Sequence, residues 1–113
     1  MSWPDDADGD VLRRLKDLHV DFDQVHSIEF VVEFERWPVM QDAMEDLHEL
    51  YDDVVVVEPD KEEIALGQLH GFVLVILEAQ LSYEFVVGMQ SQLTRQLQRY
   101  GGRCESWEVE AKP

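Results

Sequence analysis

Basic residues are scarce in this chain: Lys and Arg number 9 against 25 Asp and Glu, for a formal net charge of −16. A field of that sign repels phosphate backbones, so no direct binding to nucleic acid is expected and a basic protein partner is favoured. Cysteine is nearly absent. The single Cys104 excludes an internal disulfide, and no N-terminal stretch joins a charged start to an apolar run, so the sequence reads as cytoplasmic. Long apolar runs are missing too. The run Phe72-Val73-Leu74-Val75-Ile76-Leu77 is far short of the roughly 20 residues a membrane span needs. There is no phosphate-cradling glycine-rich loop, no favoured Ser/His/Asp order and no cysteine beside an evident base, which removes the usual marks of phosphoryl transfer and nucleophilic catalysis. The histidines His19, His26, His48 and His70 show no metal-ligand spacing. Pro4 and Leu15 stand where a calcium loop around Gly9 would need acidic ligands. No catalytic, cofactor-binding or metal residue is assigned.

What is present is a pattern of alternating periods. The apolar run at 72–77, rich in β-branched side chains, has no polar face and predicts a central strand covered on both sides. Val11, Leu12, Leu15 and Leu18 recur at helical spacing and predict a short amphipathic helix, with Asp8 or Asp10 as its N-cap. Ile28, Phe30, Val32 and Phe34 then alternate with Glu29, Val31, Glu33 and Glu35, the pattern of a half-buried strand whose second face is a solvated carboxylate row. From Pro38 to Tyr51 the stripe Met40, Ala43, Met44, Leu47, Leu50 and Tyr51 predicts a helix, with Asp42, Glu45, Asp46 and Glu49 outside. Val54 to Val57 predicts a second strand. The register of residues 58–71 is left open.

Ser82 is a good N-cap for a last helix burying Phe85, Val86, Met89, Leu93, Leu97 and Tyr100, with Gln90 among its outer residues. Gly88 inside that helix implies a close neighbour. Gly101-Gly102 supplies a left-handed helix end. The final strand, 103–109, is expected to put Trp107 and Val109 on one side and Cys104, Ser106 and Glu108 on the other.

The order β-α-β-β-α-β, with two right-handed crossovers, gives an α+β, ferredoxin-like sandwich with an extra N-terminal helix. One domain is expected over 1–113, with 1–9 as a mobile lead-in. The strands centred on Phe30 and Leu74 are expected in the middle of the sheet. Cover for the second face is expected from the N-terminal helix, or from a homodimer through that face.

The stretch Leu97-Gln98-Arg99-Tyr100-Gly101-Gly102-Arg103-Cys104-Glu105-Ser106-Trp107 resembles the helix-Gly-Gly-Glu-Tyr-Asp-Gly-Trp ending of the ribonuclease E inhibitor RraB family. Asp8-Gly9-Asp10-Val11-Leu12-Arg13-Arg14-Leu15 is similar to the opening of many members. Cys104 and Ser106 depart from the tyrosine and glycine usual in the family. The resemblance implies a non-enzymatic regulator that binds ribonuclease E of the RNA degradosome and inhibits or redirects it. It implies no catalytic, cofactor or metal residue. Gly101, Gly102 and Trp107 carry the motif, and Trp107 reads first as an aromatic core plug. With a charge of −16, the carboxylates Glu29, Glu33 and Glu35 and Asp42, Glu45, Asp46 and Glu49 are the candidate partner-binding residues. Two other classes stay open: a self-associating structural or small-molecule sensor domain, and a small ferredoxin-like enzyme with His26, His70 or Glu33 in a cleft.

Overall fold

The computed structural model describes residues 3–35, 39, 41–58, 61–62 and 71–109. Residues 36–38, 40, 59–60 and 63–70 therefore lie outside the description, including the predicted helix start at Pro38, His70 and most of the segment whose register was open. Helix α1 (Ala7–Asp17) starts a turn earlier than the spacing of its apolar residues predicts. Its N-cap is Asp6, whose Oδ1 accepts from the Gly9 amide at 2.7 Å. Asp8 does not cap because its carboxylate is turned toward other elements, as shown below. Gly9 is required here, since a Cβ would come within 2.0 Å of the Pro4 carbonyl oxygen.

Strands β1 (Val25–Phe34), β2 (Val54–Val57), β3 (Phe72–Gln80) and β4 (Gly102–Val109) form one antiparallel sheet in the order β2-β3-β1-β4. The two strands expected in the middle are there: Phe30 pairs with Val75 and Val31 with Leu74. Alternation then sorts the side chains. Ile28, Phe30, Val32, Val73 and Val75 are wholly buried on one face, beneath the helices.

Helix α2 (Gln41–Leu50) buries Ala43 and Leu47, and Tyr51 one turn further on continues the stripe. Helix α3 (Tyr83–Leu97) is capped as expected, the Ser82 hydroxyl accepting from the Phe85 amide at 3.1 Å. It buries Val86, Gln90, Leu93 and Leu97, a spacing of four, three and four that keeps one face inward. Gln90 is thus a core residue, only 8% exposed, and not an outer one. Gly88 has nothing within 4 Å of a built Cβ, so no close neighbour explains it.

The β4 register holds a further correction. Between Val31 and Val32 the pairing moves from Ser106 to Cys104, so Glu105 is an extra residue on β4. A bulge of this kind reverses the facing of everything beyond it. Cys104 therefore joins Trp107 on the core side, each 4% exposed, where simple alternation places them on opposite faces.

Candidate functional site

All three described helices pack on one face of the sheet. Helix α1 was expected to cover the other face, but it lies against α3. Leu12 enters the common core, and Tyr83 donates to Asp6 Oδ2 at 2.6 Å. Among the described residues the second sheet face is bare. Phe72, Leu74 and Ile76 of β3 and Val31 of β1 are half-buried there, with Val55 and Val57 of β2 beside them. The all-apolar strand thus has one face in the core and one exposed in part.

Two of the candidate carboxylates stand on this bare face. Glu29 is half-buried, with Ile76 opposite on β3 and Glu108 opposite on β4. Glu33 is exposed and lies 3.9 Å from the Arg103 guanidinium, which also reaches Glu105 at 3.7 Å. Pairs this exposed contribute little to stability. A concavity of about 670 Å³ opens between Val31, Glu33, Phe72, Arg103, Ser106 and Glu108. Glu35 follows the strand, its amide donating to the Gly101 carbonyl at 3.0 Å.

The other four carboxylates are on α2, whose buried stripe faces the opposite side of the sheet. Asp42, Glu45 and Glu49 are exposed, and Glu45 accepts from Gln41 one turn earlier at 3.1 Å. Asp46 differs. Its Oδ2 accepts from the Tyr100 hydroxyl and from Arg99 Nη2, both at 2.7 Å, and these bonds hold its carboxyl below the ordinary value. Arg99 in turn lies over the Tyr100 ring, 4.7 Å from its centroid. Asp46 therefore ties α2 to the 3-10 turn, Gln98–Tyr100, that follows α3. The seven candidates do not form one patch: Glu29 and Glu33 face one way, the α2 acids the other.

The motif residues stand at close contacts of the fold. Gly101 has φ of 77°, and a Cβ on Gly102 would sit 2.7 Å from Phe34 Cε1 and 3.0 Å from Leu97 Cβ. Trp107 fills the core and donates Nε1–H to Asp8 Oδ1 at 2.8 Å. Gln90 Nε2 donates to the same oxygen at 2.9 Å. The roles of Asp8 and Gln90 were missed in the sequence, although Gln90 falls on the α3 stripe between Val86 and Leu93 and could have been found by its spacing.

Among the described residues, chemically reactive arrangements are few. Burial pushes the Cys104 thiol up to about 12, so it stays protonated. His48 is exposed, and His26 Nε2 lies 2.6 Å from the Asp21 carbonyl oxygen. Among the described residues no group of three or more His, Cys, Asp or Glu is placed to hold a metal ion, and no helix is long and apolar enough to cross a membrane. No curated protein matches the sequence. The family model described as regulator of ribonuclease activity B, RraB, matches residues 5–109.

Proposed function

The chain belongs to the RraB family, regulators of ribonuclease activity, and from that premise we propose that it binds a ribonuclease E-type endoribonuclease of the RNA degradosome and inhibits or modulates it. It does so in the cytoplasm, through an acidic surface, with no chemistry of its own. The family match over nearly the whole chain carries this function. The net charge of −16 supports it, because an acidic protein attracts a basic, RNA-binding partner.

Within that surface we assign first contact to Asp42, Glu45 and Glu49, which stand exposed on one helix, with Glu29, Glu33 and Glu35 contributing to the field from the sheet side. Asp46 belongs to the fold instead, held by Arg99 and Tyr100. The strand order β2-β3-β1-β4 with antiparallel neighbours supports describing the scaffold as a ferredoxin-like sandwich with an added helix.

The test is cleavage of a fluorogenic RNA by a purified ribonuclease E-type enzyme, with and without a stoichiometric excess of this protein, at rising salt. Cleavage should change, and the effect should weaken as salt screens the acidic surface. An unchanged cleavage rate at low salt would refute the function, as would turnover of a substrate by this protein alone.

A further inference from the structure

We propose that the outer edge of β2 is a docking strand for an extended segment of a partner protein: about four apolar residues flanked at both ends by Lys or Arg, added to the sheet by main-chain pairing. This deepens the function above and rests on it for the premise that the partner is a protein.

The edge is defined by the register. Val54 pairs with Val75 and Val55 with Leu74, so Asp53 stands opposite Ile76, and the Ile76 amide donates to the Asp53 carbonyl at 3.0 Å. In an antiparallel ladder such bonded pairs alternate, so the main-chain groups of Asp53, Val55 and Val57 point inward to β3. Those of Val54 and Val56 point outward. Among the described residues nothing pairs with them.

The side chains leave the same edge bare. Val55, Val56 and Val57 are 41%, 39% and 37% exposed. Consecutive residues point to opposite faces, so among the described residues this strand is exposed in part on both faces. Edge strands are blunted by shortness, by a lysine or a proline, or by a bulge. Val54–Val57 is short, but it carries no lysine, proline or bulge.

The charges at its ends select the occupant. Asp52 and Asp53 precede the strand and Glu58 follows it, all exposed. Consider a second copy of this chain pairing antiparallel with Val54 set against the copy's Val56. Asp52 of each molecule would then face Glu58 of the other, a repulsive arrangement at both ends, added to the mutual repulsion of two chains of charge −16. A foreign strand with basic residues at both ends meets an acid at each end in either direction. The same acids that oppose self-pairing therefore attract such a segment.

The probe is a fluorescein-labelled synthetic peptide of four β-branched apolar residues between paired arginines, titrated with the full chain and read by anisotropy. Saturable binding that weakens with salt is expected. Val56→Pro removes an outward N–H and leaves the inward ladder intact, and should weaken binding about tenfold or more, while Val56→Thr, which keeps that N–H, should stay within about twofold. Should Val56→Pro fail to fold, the exposed pair Asp52→Lys with Glu58→Lys must weaken binding and flatten its salt dependence. Equal binding by wild type and Val56→Pro, or by wild type and the charge variant, would overturn the proposal. So would a wild-type dimer in sedimentation that Val56→Pro dissociates, which would make the occupant a second copy. The ribonuclease assay is read separately. Peptide binding in this pattern without any effect on cleavage refutes the ribonuclease function and leaves the docking strand standing. Regulation of cleavage without peptide binding does the reverse.

Discussion

The Trp107 indole N–H donates to Asp8 Oδ1 at 2.8 Å, joining the last strand to the first helix across 99 positions of chain. Gln90 of α3 donates to the same oxygen. One carboxylate thus fastens α1, α3 and β4 at a point where two of the three partners are core residues, and polar groups buried there must find acceptors. Asp8→Ala leaves the Trp107 N–H without its acceptor and should destabilise by about 2–3 kcal/mol in urea denaturation, whereas Trp107→Phe should cost about 1–2 kcal/mol. A double-mutant cycle should return a coupling of about 1 kcal/mol. Additive single effects would show that the bond does not hold the helix.

Gly88, Gly101 and Gly102 should respond in opposite directions. Gly102→Ala drives a methyl into Phe34 Cε1 and Leu97 Cβ and should cost about 1–3 kcal/mol. Gly101→Ala forces a side chain into the left-handed region at φ 77° and should cost about 1 kcal/mol. Gly88→Ala, in an exposed helix position with open space around it, should stabilise by about 0.5–1 kcal/mol. Thermal or urea melts of the three variants decide the signs. A destabilising Gly88→Ala would show that this position has a neighbour after all.

Cys104 should be inert while the protein is folded. Its side chain is buried, its thiol is raised to about 12, and Sγ lies 3.6 Å from the Ser106 carbonyl oxygen. Iodoacetamide at mildly alkaline pH should leave the native protein unlabelled and alkylate it fully in denaturant, as mass spectrometry would read directly. Rapid native labelling would mean that β4 opens readily at its bulge.

The contrast between Cys104 and Phe30 shows how much of this molecule was legible. Strict alternation of Ile28, Phe30, Val32 and Phe34 names the strand and its buried face, because a period of two has a single structural meaning, and the order of elements gives its central place. The same alternation misplaces Cys104, since nothing in Arg103-Cys104-Glu105-Ser106-Trp107 marks Glu105 as the inserted residue. A bulge depends on what the neighbouring strand presents. The candidate site was legible as charge but not as surface. The α2 pattern separates Asp42, Glu45, Asp46 and Glu49 from the core, yet only the packing of α3 shows Asp46 turned into a tether while the others stay free to meet a partner. Cover for the second sheet face was expected from α1 or from a homodimer. Among the described residues α1 does not supply it, because it ties itself through Asp6 and Asp8 to Tyr83, Gln90 and Trp107, contacts with no short-range sequence signal.

Stability should fall on acidification partly through Asp46 and Asp6. Bonds from Tyr100 and then Arg99 lower the Asp46 carboxyl below its ordinary 3.8, and bonds from Tyr83 and the Gly9 amide lower Asp6 in the same direction. A carboxyl lowered in the folded state stabilises it at pH above the unfolded value. That contribution is lost as pH drops from 3.8 through the lower folded value. Asp46→Asn and Asp6→Asn should therefore lose less stability than the wild type between about pH 6 and about pH 2.5, by chemical denaturation at each pH. Parallel curves for wild type and variants would exclude both groups as sources of the acid sensitivity.

Charge reversal on α2 should separate partner binding from stability. Glu45 and Glu49 are exposed, and Glu45 accepts from Gln41 at the surface. Replacing both by Lys should alter stability by no more than about 0.5 kcal/mol per site, as exposed helix positions usually do. It should nevertheless slow association with a ribonuclease E-type partner, because opposite fields act mainly on the rate of encounter, and the remaining rate should depend less on salt. Surface plasmon resonance across a salt series distinguishes the outcomes. A slower association rate with an unchanged dissociation rate supports steering by α2. An association rate equal to wild type at every salt concentration would remove the acidic helix from the binding mechanism and leave the bare sheet face and its valine edge as the surface that meets the partner.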